Sequence, residues 1–150
     1  MRVIIQRAGI ATVKIAGKTT ARIKNGLLVL TGFEDQDNEE DVFWLAGKIA
    51  RLRIFNDENG IMNLSVQDID GEVMIVSQFT LHAKTKKGNR PSYVHAAAPE
   101  KAIPLYNKFI EELQTFLKKD IKTGEFGAIM QVELVNDGPV TIFIDTKNRE

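Results

Sequence analysis

Val73-Met74-Ile75-Val76-Ser77-Gln78-Phe79-Thr80-Leu81 is the stretch that decides the fold. Four apolar residues in a row read as a fully buried strand, and the strand runs without a break into hydroxyls and a carboxamide. Leu27-Leu28-Val29-Leu30 is a second apolar run of the same kind, opened by the turn signal Asn25-Gly26. Val3 to Ile5 reads as a first strand. Thr12-Val13-Lys14-Ile15 alternates polar and apolar, and Gly17 permits a tight turn into Thr19 to Ile23. The first third therefore reads as an antiparallel meander.

Two helices flank the decisive strand. Asn38 caps the first, acidic Glu39, Glu40 and Asp41 suit its positive end, and Val42, Leu45, Ala46, Ile49 and Leu52 form its apolar stripe. Pro99 suits the first turn of the second. Its apolar positions, from Ile103 through Tyr106, Phe109 and Leu113 to Leu117, carry it to about residue 119. Asp57 to Gly60 is a turn, and His82 to Ser92 is polar and basic enough to be a loop. Met130 to Val135 and Val140 to Ile144 read as the last two strands. The sum is a single α+β domain over residues 1–150, mainly antiparallel and barrel-like, with two major helices.

Composition narrows the chemistry. The chain has 150 residues, 43% of them hydrophobic and 27% charged, which suits one ordinary globular core. No apolar run is long enough for a membrane span, and the N-terminus lacks a secretory pattern, so a cytoplasmic protein without a membrane partner is expected. There is no cysteine and there are two histidines, so a thiolate nucleophile and a His/Cys zinc site are excluded. His82, His95 and Asp145 are scattered, and neither a metal nor a cofactor is expected. The formal net charge is zero, so any nucleic-acid contact must be local rather than a bulk field.

A site here must be built from hydroxyls, amides and main chain. Ser77, Gln78, Phe79 and Thr80 place hydroxyls and free backbone N–H groups at a strand end, where they suit a developing oxyanion. The same residues also fit a plain strand cap. Gly138-Pro139, within Asn136-Asp137-Gly138-Pro139-Val140-Thr141, reads from its residues as a hairpin turn with a trans bond. Phe126 and Met130 read as core packing. Lys84, Lys86, Lys87 and Arg90 are either a solvated loop or a phosphate contact. Lys118, Lys119 and Lys122 are a second basic group that a helix C-terminus already explains. Thr80 is an unattractive nucleophile without an adjacent base, and His82 reads as a surface histidine.

Taken together, the segments at 77–81 and 136–141 resemble the two signature motifs of the D-aminoacyl-tRNA deacylase family. The resemblance continues through Val3 to Arg7, Arg53-Ile54-Phe55, Met62-Asn63-Leu64, Gly88-Asn89-Arg90-Pro91-Ser92, Phe126-Gly127-Ala128 and Met130-Gln131-Val132, and so spans the chain.

It implies the deacylase fold, a homodimer, and hydrolysis of the ester between a D-amino acid and the 3′-terminal adenosine of tRNA, with glycyl-tRNA as a further substrate. It implies that Gly138-Pro139 is cis and reaches into the partner subunit's pocket, rejecting L side chains, with Arg7 supporting that loop. Phe79 and Thr80 would supply N–H donors, Ser77 and Gln78 would shape the pocket, and Phe126 and Met130 would pack around the adenine. Lys84, Lys86, Lys87 and Arg90 would contact the tRNA. The ribose 2′-hydroxyl would assist the reaction, with Thr80 positioning. A cousin that edits L-alanyl-tRNA, and a non-catalytic nucleic-acid-binding module, are the competing readings.

Overall fold

The computed structural model describes residues 1–150. The strands are β1 (Arg2–Ile15), β2 (Lys18–Ile23), β3 (Gly26–Gly32), β4 (Phe55–Asn56), β5 (Met62–Leu64), β6 (Glu72–Ser77), β7 (Lys122–Thr123) and β8 (Met130–Asp145). The helices are α1 (Glu39–Arg51) and α2 (Pro99–Leu117), with a 3-10 turn at Phe79–His82.

The main sheet runs β2-β1-β3-β6-β7, and β8 pairs with β1 as well. β1 is the organising strand. Along one edge it pairs first with β3 and then with β2, and along the other it pairs with β8 over nearly its whole length, all antiparallel. The expected strands at 3–5 and 12–15 are thus one strand. The expected meander has β1 at its centre rather than β2. β3 pairs with β6 in parallel, and β6 with β7, so an otherwise antiparallel sheet carries a parallel flank.

Two cores explain the unbroken apolar runs. Leu27, Val29, Val73 and Ile75 face the core under the helices, together with Leu45, Ile49, Phe109 and Leu113. Leu28, Met74 and Val76 face the opposite way, against Ala8, Ala11, Val13 and Ile23, with Met130, Val132 and Leu134 at its margin. Covered on both faces, β3 and β6 have no polar side to show. The second core lies inside the curl of the sheet, which is a nearly closed barrel.

The helices follow their local signals. The Asn38 side chain accepts from the N–H groups of Glu40 (2.9 Å) and Asp41 (3.3 Å), and the Asp41 carboxylate accepts from the Asn38 N–H (3.1 Å). This is a reciprocal capping box. α2 ends at Leu117, two residues short of the expectation, because Lys118 takes the left-handed conformation at φ 53°. No helix is long and apolar enough to cross a membrane.

Gly138-Pro139 is not a hairpin turn. Residues on both sides of it pair with β1: Thr141 lies opposite Gln6, and Asn136 opposite Ala8. Asp137 to Val140 therefore bulge out of one continuous strand opposite the single residue Arg7. The Gly138–Pro139 peptide bond is cis, not trans as the residues alone suggest, and Gly138 sits at φ 138°, a region open to glycine.

Candidate active site at the end of strand β6

The chain leaves β6 at Ser77 and turns immediately. Gln78 N–H donates to Thr31 O at 2.6 Å, holding the exit against β3. Gly32 permits this approach, since a Cβ there would lie 2.7 Å from Gln78 O. The 3-10 turn then begins. Its first internal bond runs from Leu81 N–H to Gln78 O at 3.2 Å, which leaves the N–H groups of Phe79 and Thr80 free. Gln78 Nε2 donates to Thr80 Oγ1 at 2.5 Å, fixing the hydroxyl.

Ser77, Gln78 and Phe79 form one side of a cavity of about 480 Å³. Phe126 and Met130 also line it. The segment bearing Phe126 is tied down at Ile75 O, which accepts from Gly124 N–H (3.0 Å) and from Tyr106 Oη (3.2 Å). The Tyr106 ring meets Phe126 edge-on at 5.5 Å. Burial pushes the Tyr106 hydroxyl up to about 12, so it stays a neutral donor at physiological pH.

The lining contains no Asp, Glu, Lys, Arg or His. What it offers is apolar wall, a few hydroxyls, one carboxamide and the main chain at its rim. Such a site can orient a neutral planar group and stabilise an oxyanion, and it holds no ionised base. No group of three or more His, Cys, Asp or Glu side chains is placed to hold a metal ion.

The remaining sequence-predicted residues lie apart from this cavity. Arg7, Gly138 and Pro139 belong to the β1–β8 bulge and do not line it. Arg7 is 7% exposed; its Nε donates to Asp137 O at 2.7 Å, and its Nη1 donates to Ile54 O (2.8 Å) and Asn56 Oδ1 (3.1 Å). Asn136 closes the neck of the bulge, accepting from Val140 N–H at 2.7 Å and donating to Thr141 Oγ1 at 3.0 Å. Lys84, Lys86 and Lys87 gather with Ser92 around a second concavity, which Arg90 does not line.

His82 corrects the sequence reading. It is 1% exposed rather than a surface residue, because β6 gives way to the 3-10 turn and folds it under Gly32. Burial, the largest effect, holds its imidazole below the ordinary value, and its Nε2 has no hydrogen-bond partner. Thr31 and Tyr93 are among the wall residues that reasoning from sequence missed. Thr31 is buried with an unpartnered hydroxyl opposite Ser77, a register that no local sequence signal announces. Tyr93 meets Phe79 edge-on at 5.0 Å.

Comparison with known proteins agrees with this geometry. The D-Tyr-tRNA(Tyr) deacylase family matches residues 4–145. D-aminoacyl-tRNA deacylases from Flavobacterium johnsoniae and Bacteroides fragilis (strain YCH46) are 61% and 57% identical over 150 residues, covering all of both chains. Among solved structures, a c-Myc DNA unwinding element binding protein superposes with a TM-score of 0.91 at 40% identity, over 97% of this chain and 98% of its own. A probable eukaryotic D-amino acid tRNA deacylase superposes with a TM-score of 0.82 at 18% identity, over 95% and 97%, which speaks for the fold alone. Fold, cavity and relatives together define a deacylase, a hydrolase acting on ester bonds. The chain belongs to the D-Tyr-tRNA(Tyr) deacylase family.

Proposed function

We propose that the protein hydrolyses the ester joining a D-amino acid to the 3′-terminal adenosine of tRNA, releasing the amino acid and reusable tRNA, and that it also accepts glycyl-tRNA. The observation that carries this reading is the uncharged cavity lined by Ser77, Gln78 and Phe79, with the free N–H groups of Phe79 and of Thr80, which does not itself line the cavity, at the same strand end. In the proposed mechanism those donors meet the oxyanion of the tetrahedral intermediate, where losing one donor typically costs about 10²–10³ in rate. An aminoacyl ester is already reactive, so positioning and oxyanion stabilisation suffice. The neighbouring ribose 2′-hydroxyl assists the attacking water. Thr80 positions rather than attacks, its hydroxyl being held by Gln78. Phe126 and Met130 receive the adenine.

The working unit in this reading is a homodimer. β8 is paired on one edge only, and it exposes Val135 (62%) and Phe143 (58%), a long open edge of the kind proteins cover. Gly138 and Pro139 project from this strand, exposed, anchored from behind by Arg7 and Asn136, and away from their own subunit's cavity. Reaching the partner subunit's cavity, their carbonyls face the substrate α-amino group. An L side chain is then excluded by collision, while a D side chain or none is admitted. Lys84, Lys86, Lys87 and Arg90 contact phosphates of the acceptor end. The cytoplasm, where aminoacyl-tRNA is used, is the matching location.

A second reading is DNA binding, favoured by the likeness to a protein described as binding a DNA unwinding element. The experiment that separates the two is incubation of purified protein with D-tyrosyl-tRNA. Release of D-tyrosine above spontaneous loss, with tRNA that can be charged again, supports the deacylase. Salt-sensitive DNA binding with no ester cleavage supports the other reading.

A further inference from the structure

The wall between the two concavities has chemistry of its own. Phe79 is 57% exposed and Tyr93 40% exposed, although both line the mouth of the main cavity. Large aromatics left open beside a cavity, rather than folded into it, are a surface that lacks its partner. The two rings meet edge-on, at 5.0 Å and 76°, and such a pair leaves each ring at least one face uncovered by the other.

Tyr93 follows directly on Ser92, which lines the second concavity with Lys84, Lys86 and Lys87. The placement is built rather than loose: Lys84 and Ser92 exchange two backbone hydrogen bonds, of 2.8 and 3.0 Å, which fold 84–92 back on itself. Charge is segregated here too. Residues 73–99 contain Lys84, Lys86, Lys87 and Arg90 and no Asp or Glu, in a chain whose formal net charge is zero. An open aromatic face flanked by a cationic hollow matches one occupant closely, a single-stranded nucleotide whose base stacks and whose phosphate is neutralised.

We infer that Tyr93, buttressed by Phe79, is a stacking platform for the unpaired base that precedes the terminal nucleoside of the substrate, with the phosphate beside it held by the lysine concavity. This rests on the deacylase reading and extends it: the main cavity takes the terminal nucleoside, and the neighbouring surface takes the next nucleotide. Stacking is tolerant of base identity, so the subsite accepts the common 3′ end of every tRNA without reading which tRNA carries it.

The test compares two substrates, adenosine carrying a 3′-D-tyrosyl ester and the cytidylyl-adenosine dinucleotide carrying the same ester. Replacing Tyr93→Ala is expected to lower kcat/KM on the dinucleotide about tenfold more than on the nucleoside. Tyr93→Phe, which keeps the ring, retains the dinucleotide preference. A dinucleotide abasic at the first position loses as much on the unsubstituted protein, and Tyr93→Ala adds no further loss, because both changes remove one interaction. Equal losses on nucleoside and dinucleotide overturn this inference alone, since Tyr93 is then only a cavity wall. Additive losses from the abasic site and Tyr93→Ala overturn it likewise. Hydrolysis of neither substrate by the unsubstituted protein overturns the deacylase reading and this inference with it.

Discussion

Arg7 on β1 donates from Nε to the main-chain oxygen of Asp137 on β8 at 2.7 Å, and the Asp137 carboxylate lies 3.3 Å from the same nitrogen. One buried guanidinium thus anchors the bulge that carries Gly138 and Pro139, while its other arm grips Ile54 O and Asn56 Oδ1. Arg7→Ala leaves the buried Ile54 carbonyl and the part-buried Asp137 carbonyl without this donor, and the expected destabilisation is about 1–3 kcal/mol by urea unfolding. The same variant should hydrolyse L-aminoacyl ester faster relative to D, since the selecting loop loses its anchor. Arg7→Lys keeps the charge but not the fork, and should restore stability only in part. An unchanged D/L ratio in Arg7→Ala would disconnect the loop from chirality.

Thr80→Val removes the hydroxyl that Gln78 holds and keeps the shape and the N–H. If the residue only positions, kcat falls about tenfold or less, the scale of one neutral hydrogen bond. A loss of several orders of magnitude with intact folding and binding would make the hydroxyl the nucleophile.

The bulge and the cavity of one subunit lie apart, which makes the dimer testable by complementation. A chain with residues 137–140 shortened should lose D/L discrimination, and a chain with the cavity filled by Met130→Trp should be inactive. Co-refolded in equal amounts, half of the open cavities face an intact partner loop, so discrimination should recover and L-ester hydrolysis per open cavity should fall by about half. No recovery from a mixture shown to form mixed dimers would place the selecting loop in its own subunit.

His82 gives stability a pH dependence. Its folded value lies below the ordinary 6.5, chiefly through burial, so the unfolded chain binds the proton first. Stability is then complete above about pH 6.5 and is lost as pH falls through the lowered value. Asp41 and Asp145 behave alike but lower down. Burial is the largest single effect on each and raises them, yet the bonds from Lys147 and the Asn38 N–H to Asp41, and from Arg2 to Asp145, outweigh it and hold both below 3.8. Urea midpoints should therefore fall between pH 7 and 5, and His82→Leu should flatten that interval while leaving the loss at lower pH. An unchanged slope in the variant would assign the effect elsewhere.

Much of this was legible in the sequence, for reasons that can be named. α1 was readable because its cap, acidic first turn and apolar stripe are local. β3 and β6 were readable as buried strands because continuous apolar runs survive only where both faces are covered. Their parallel pairing was not, since register between distant segments leaves no local mark. β8 looked like two strands and a turn because Gly-Pro reads as punctuation, and only its common partner β1 shows it to be one strand with a bulge. At the site, Ser77 to Thr80 announced themselves as polar residues out of place at a strand end. Phe126 and Met130 came from the family resemblance, and Thr31 and Tyr93 were hidden among ordinary strand and loop residues. His82 was misread because a histidine in a polar stretch gives no sign of the turn that buries it.

The most direct test of the central claim is a side-by-side time course of D-tyrosyl-, L-tyrosyl- and glycyl-tRNA with purified protein, against a no-enzyme control. The account predicts rapid loss of the D and glycyl esters and loss of the L ester at the spontaneous rate. Cleavage of D and L esters at equal rates, or of neither by folded protein, would contradict it.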